Sequence, residues 1–383
     1  MAAKRHANPF TFGDLALDDA FTDRGPELAE LRSDMLNGQN VAIIAPRRYG
    51  KSSLLRRAAQ GLVHEGVLVA DVDLMKAPTK ERLASKLARA IHDDVASPLF
   101  NAKERLRVFS TLRINPTITV DARTGETTFT FAASARSEDI DATLERLLEL
   151  PAQLAAERER KVVLMFDEFQ EVTDIDPRLP ALMRAVFQEQ PEVAHVYAGS
   201  KRDMMRRLFT HENEPFYRSA KVLELQLIPP AEFAAFLVRQ FDRTDREVDG
   251  ALVDALLEVT HGHPYGTQEL AYALWEAVPE GFLATTDDLA AALEAVLRSE
   301  NAHFTRIWEK APRTQRLLLQ ALALEPGRVF SAVYRRRFDL PAASSVQRAV
   351  DALADDELIG RGDDGTYSIA EPFLREWVLA YGS

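Results

Sequence analysis

Short β-branched runs alternate with longer stretches of helical period between Asn40 and Leu227. That alternation predicts a parallel sheet covered by helices. The predicted buried strands are Val41 to Ile44, Val67 to Asp73, Val162 to Phe166, Val193 to Ala198 and Val222 to Leu225. Thr117 to Val120 and Thr127 to Phe131 are β-rich around a turn at Asp121 to Gly125, and predict a hairpin inserted between the second and third core strands. After Pro229-Pro230 the pattern turns helical: Ala231 to Phe241, Gly250 to Thr260, Pro264 to Ala277, and a segment with Thr286 as its N-cap and Asp287 and Asp288 in its first turn. The last stretch predicts helices at Thr314 to Leu324, Ser331 to Phe338 and Ala343 to Asp355. Two strands follow, Leu358 to Arg361 and Thr366 to Ile369, in the outline of a winged helix-turn-helix.

These patterns divide the 383 residues into a core at 1–229 with its hairpin at about 113–132, a helical region at 230–311 and a winged helix at 312–383. Composition agrees with several globular domains, since 46% of residues are hydrophobic and 28% charged. No apolar run approaches the roughly 20 residues needed to cross a bilayer, and MAAKRHANPF lacks a signal peptide's apolar core. A cytoplasmic protein without a membrane partner is expected. The absence of cysteine excludes disulfides and thiolate chemistry, and the eight histidines show no paired ligand spacing on a helix. A net charge of -12 argues against a protein that coats nucleic acid nonspecifically.

The chemistry concentrates at Ala45-Pro46-Arg47-Arg48-Tyr49-Gly50-Lys51-Ser52-Ser53, between an apolar strand and a helical segment. A loop closing onto a helix N-terminus turns consecutive N–H groups toward one point, where a polyphosphate is stabilised. Pro46, Arg47, Arg48, Tyr49, Gly50, Lys51, Ser52 and Ser53 are the candidate nucleotide-binding residues. Lys51 is expected to neutralise phosphate oxygens and Ser52 to ligate Mg²⁺. Ala45 stands where the P-loop consensus has its first glycine, which is harmless only if that residue keeps a negative φ.

A second element sits at the end of Val162-Val-Leu-Met-Phe166, where Asp167 and Glu168 follow the strand. Two carboxylates at the tip of a buried strand have no packing reason, and in P-loop ATPases they form the Walker B site. Asp167 is the candidate metal residue and Glu168 the base that activates water. Ser200, after the strand ending at Ala198, is either a γ-phosphate sensor or the N-cap of a helix from Asp203 to Leu208. Arg218 either reaches phosphate from a neighbouring subunit or pairs with Glu212 or Glu214. In His261-Gly262-His263-Pro264, Gly262 is expected to end one helix in the left-handed conformation and Pro264 to begin the next. The functional alternative places this turn at the adenine, with His263 toward phosphate. Tyr334-Arg335-Arg336-Arg337 is the most basic run of the winged segment, offset by nearby acidic residues.

On these residues the chain resembles the archaeal-type P-loop ATPases that border the STAND and origin-initiator branches of AAA+. The matching positions are Phe21, Asp23-Arg24 and Glu27, the P-loop, the hairpin insert, Asp167-Glu168-Phe169-Gln170, Gly199-Ser200, Pro215-Phe216-Tyr217-Arg218 and Gly262-His263-Pro264. The resemblance implies a three-layer αβα core of the additional-strand type, with an extra strand between the P-loop and Walker B strands, a helical lid and a C-terminal winged helix. It also implies that Asp23 and Arg24 lie near the adenine. No arginine occurs from Pro264 to Ala277, so the sensor-2 arginine of ring-forming relatives is missing, which favours a STAND-like switch. Three functions follow as expectations: an ATP-hydrolysing switch, a DNA-binding initiator or loader, and a nucleotide-binding regulator with negligible turnover. ATP or ADP and Mg²⁺ are the expected ligands. Output is expected through a protein partner or the winged helix, with DNA binding weak.

Overall fold

The computed structural model describes residues 6–13, 15, 21, 24–121, 123–132, 136–362 and 364–382. They fall in two compact units, Arg24–Gln226 and Leu227–Ser383, the latter taking in also the described residues before Arg24.

In the first unit, β1 (Val41–Ile44) and β2 (Leu68–Asp73) are followed by the hairpin strands β3 (Thr117–Val120) and β4 (Thr127–Thr130), then by β5 (Val162–Asp167), β6 (Val193–Gly199) and β7 (Lys221–Glu224). Five of these form one sheet in the order β2-β5-β6-β1-β7, every neighbouring pair parallel. β6 therefore lies between the P-loop strand and the Walker B strand, which is the additional-strand arrangement. The sequence explains who sits in the middle. β1 and β6 are buried at every position and β5 at all but its last, as strands covered on both faces must be. β2 alternates and β7 is half exposed, as suits the two edges.

β3 and β4 pair antiparallel with each other as a separate ribbon. Phe129 of β4 is buried against Phe109 and His92, so the insert is anchored by one aromatic face. Beneath the Walker B strand, Phe169, Tyr197, Phe209 and Phe216 form a closed aromatic cluster with centroids 4.6–5.9 Å apart. Two of the sequence motifs meet there, since Phe216 packs edge-on against Phe169.

The second unit carries helices Pro230–Asp242, Gly250–Thr260, Pro264–Ala277 and Thr286–Lys310. The N-cap of the last is Thr285, one residue earlier than expected. Thr285 and Asp288 close a capping box, which makes Thr286 the first helical residue. The turn before Pro264 also differs: His261 (φ 49°) is the left-handed cap, and Gly262 (φ 66°) follows in the same region. Phe10 packs on Phe236 and Phe241, and Asn8 donates to the Tyr272 carbonyl, so these early residues join this unit rather than the core expected at 1–229.

The C-terminal part has helices Arg313–Leu324, Ala332–Arg337 and Ala343–Asp355, the hairpin β8 (Ile359–Arg361) and β9 (Tyr367–Ile369), and a closing helix Leu374–Tyr381. That closing helix is absent from the sequence expectation. Its buried Leu374, Trp377 and Val378 follow i, i+3, i+4, a pattern too short to separate from a strand by eye.

Candidate functional site

The site forms where β1 and β5 end. Gly50 adopts φ 82° and caps the helix Lys51–His64, which directs the N–H groups of its first turn at the loop. Arg48 (φ 64°) is the other left-handed position of the loop, whereas Ala45 is not among the positive-φ residues, so the methyl group at the consensus glycine position is accommodated.

Lys51 is buried between the two carboxylates, its Nζ 3.1 Å from Asp167 Oδ1 and 2.9 Å from Glu168 Oε1. Ser52 Oγ donates to Asp167 Oδ2 at 3.1 Å. Glu168 sits at φ 51°, a costly conformation for a non-glycine residue and one that recurs at functional sites. Its own N–H donates to Asp167 Oδ1 at 3.0 Å. Ser200 Oγ donates to Glu168 Oε2 at 2.8 Å, and Gln170 Nε2 to the same oxygen at 2.6 Å. Burial pushes the Glu168 carboxyl up, but Lys51 and the hydrogen bonds from Gln170 and Ser200 outweigh it and hold the group below its ordinary range. Glu168 is thus an anion with both oxygens engaged.

Lys51, Ser52, Asp167, Glu168 and Ser200 are therefore brought together at one point. The capping alternative for Ser200 is not realised: the helix here is Arg202–Thr210, its N-cap is Lys201, and the Ser200 hydroxyl is spent on Glu168. Ser52 and Asp167 offer adjacent hard oxygens, a donor set that fits Mg²⁺.

Arg24 does something the sequence did not suggest. It is buried, and its Nη2 donates to the Tyr49 carbonyl and to the Gln226 carbonyl, each at 3.0 Å, while Nη1 pairs with Glu27 at 3.2 Å. Through Nη2 the guanidinium thus ties the P-loop backbone at Tyr49 to the chain at Gln226. Asp23 lies outside the described residues. Arg218 (φ 52°) stands 5.3 Å over the Tyr217 ring, and the pairing expected with Glu214 is made by Arg207 instead, at 2.6 Å. His263 Nδ1 accepts from Gly266 N–H at 3.3 Å and caps the helix that Pro264 opens.

Gln170 is the residue that pattern reading passed over. It was visible only as part of the Asp-Glu-Phe-Gln tetrad, and its i+2 spacing from Glu168 carries no regular-structure signal. In the second unit His6 Nε2 lies 3.5 Å from Asp245 and 3.6 Å from Glu280. All three are exposed, as in ordinary weak surface pairs.

Residues 302–380 match a family model described as a probable winged helix domain. No curated protein matches the chain in sequence. Among solved structures, the chain is similar to the Walker-type ATPase of Pyrococcus abyssi at 18% identity, with a TM-score of 0.64 over 95% of this chain and 97% of that one. It is also similar to the ORC1 protein of Aeropyrum pernix in complex with DNA, at 14% identity and a TM-score of 0.50, over 95% of this chain and 93% of that one. At such identities the likeness establishes the fold alone, a parallel sheet covered by helices and followed by a C-terminal winged helix.

Proposed function

We propose that the protein binds and hydrolyses ATP and acts as a nucleotide-dependent switch, with the winged helix or a protein partner as its output. The observation that carries this reading is the convergence of Lys51, Ser52, Asp167, Glu168 and Ser200 at the mouth of a glycine-capped helix N-terminus. Lys51 neutralises the terminal phosphates of the bound triphosphate, and the N–H groups of the loop cradle them. Ser52 and Asp167 hold Mg²⁺, which supplies charge neutralisation at the phosphate oxygens. Glu168 accepts a proton from the attacking water, and Ser200 senses the γ-phosphate from the neighbouring strand tip. Arg47, Arg48, Tyr49 and Ser53 complete nucleotide binding, with Arg218 held available for a neighbouring copy. Of the expected domains, the helical region at 230–311 and the winged helix at 312–383 belong to this reading. So does the STAND-like mode, supported by the missing arginine from Pro264 to Ala277.

The test compares wild type, Lys51→Ala and Glu168→Gln by ATP-dependent thermal shift and phosphate release. Lys51→Ala is expected to lose the ATP-induced rise in Tm, because stabilisation by a ligand follows its affinity. Glu168→Gln is expected to keep that rise and to lose about 10² to 10⁴ in turnover, the usual contribution of a positioned base. An undiminished shift in Lys51→Ala refutes the P-loop assignment, and unchanged turnover in Glu168→Gln moves water activation elsewhere.

A second reading, an initiator or loader acting on duplex DNA, is favoured by one feature. Ala332, Arg335, Arg336, Asp339 and Leu340 line an open cleft of about 410 Å³ on the winged domain. The Aeropyrum pernix protein of similar fold was solved with DNA.

A further inference from the structure

The two oxygens of Glu168 have different partners. Oε1 receives Lys51 at 2.9 Å, while Oε2 receives Gln170 at 2.6 Å and Ser200 at 2.8 Å. Gln170 is fully buried, and its amide nitrogen also reaches Glu171 Oε1 at 3.4 Å, a carboxylate that Lys201 neutralises at 2.9 Å. Its own Oε1 is buried with no hydrogen-bond partner among the described residues. A reversed amide would aim its oxygen at the Glu168 carboxylate, so the chemistry of the neighbours sets the orientation.

Room for this amide comes from Gly199. A Cβ built there would lie 2.4 Å from Gln170 Oε1 and 2.4 Å from Met205 Sδ. A buried carboxamide that directs its nitrogen at carboxylates and leaves its carbonyl bare is not a packing solution. A methionine of similar length would fill the space without an orphaned acceptor. The arrangement serves Glu168.

We propose that Gln170 is a positioning residue for water activation: it ties down Glu168 Oε2 so that Oε1 is the basic oxygen once Lys51 is drawn to the phosphates. This rests on the ATPase reading above. Lys51 Nζ lies against Oε1 at 2.9 Å. A bound triphosphate competes for Lys51 and uncovers that oxygen. Oε1 then takes a proton from water, the water oxygen bonds to the γ-phosphorus, and the bond from that phosphorus to the β–γ bridging oxygen breaks, leaving ADP and phosphate. Oε2, which already accepts two hydrogen bonds, keeps the carboxylate from turning during the transfer.

The experiment measures kcat, KM and the affinity for a fluorescent ATP analogue in the full-length wild type, Gln170→Met, Gln170→Glu and Gly199→Ala. Gln170→Met removes the donor at similar length, and Gln170→Glu keeps the shape while removing the donor when ionised. Gly199→Ala displaces the amide, and Met205 with it, without changing the amide chemically. Each is expected to lower kcat by about 10²-fold, the scale on which a catalytic group displaced by about an ångström loses rate, with analogue affinity unchanged. A damaged fold would instead move affinity and rate together, and that outcome in all three variants overturns the proposal. So does wild-type kcat in Gln170→Met. A wild type that binds the analogue without hydrolysing ATP overturns the ATPase reading itself, a result distinct from a working enzyme indifferent to Gln170.

Discussion

His195 is a fully buried ionisable group of the core. It lies in the middle of β6, wholly buried, with its ring 4.0 Å from that of Phe187. Its Nδ1 is 3.2 Å from Asn40 Oδ1, which assigns the ring proton to that nitrogen, and Nε2 has no partner among the described residues. Burial, with a smaller contribution from Arg184, pushes its pKa down to about 3. The unfolded chain takes up this proton near the ordinary histidine value of about 6.5 while the folded chain does not. The contribution is therefore intact above about pH 6.5 and is lost as pH falls toward 3, by up to about 1.4 kcal/mol per pH unit. Urea unfolding of wild type and His195→Phe at pH 7, 6 and 5 tests this. The wild type is expected to lose more stability per unit than the variant, and coincident slopes would assign the acid sensitivity to other groups. From the sequence this residue reads only as one polar letter in Val193 to Ala198. Its burial follows from β6 being an interior strand, which periodicity alone does not reveal.

Among the elements, the parallel strands were legible because each is a short apolar run that both sheet faces cover, and the predicted and observed ends of β1 coincide. The order of strands was not written in any local pattern; it came from the resemblance, and the pairing of β6 with both β1 and β5 realises it. Of the site, the P-loop and the carboxylate pair were legible because backbone geometry ties their chemistry to local spacing. Contacts between distant segments were not. Ser200 is 32 residues from its partner Glu168, and Arg24 is 202 from Gln226.

Arg24 shows what such contacts do at this scale. Just before the helix Gly25–Leu36, one guanidinium joins the P-loop carbonyl of Tyr49 to the carbonyl of Gln226 beyond β7. Arg24→Met is expected to cost about 1.5–3 kcal/mol, the worth of a hydrogen bond from a charged group, and to weaken ATP binding by loosening the loop. Chemical denaturation and nucleotide titration check both outcomes. Wild-type values in both would mean the loop holds its shape without this brace.

At the scale of the whole chain, the question is what the winged domain does in a protein of net charge -12. A winged helix that reads DNA presents cationic and amide side chains on the outer face of its recognition helix, flanked by cations that touch phosphate. Here Ala343–Asp355 exposes Ser344, Gln347 and Arg348 and then Asp351 and Asp355. The Gln347 amide already donates to Asp351 at 2.7 Å, and Arg348 lies 3.4 Å from Ser345 Oγ. The basic run is partly committed as well, since Arg337 is paired with Glu325 at 2.6 Å and Arg335 and Arg336 donate to the Phe330 and Ala332 carbonyls. Few of these groups can neutralise phosphate without first giving up a partner. Duplex binding is therefore expected to be weak, on the order of 10⁻⁴ to 10⁻⁶ M, and to fall steeply with salt, as contacts to phosphate alone behave. The cleft beside Arg335 and Arg336 is then free for protein contacts. The measurement is duplex titration at two salt concentrations, with and without ATP, of wild type beside a variant with Arg335, Arg336 and Arg337 all changed to alanine. Submicromolar binding that survives physiological salt and disappears in the variant would sink this expectation. It would show that the arginine run exchanges its internal partners for phosphate, and would move the protein into the initiator class.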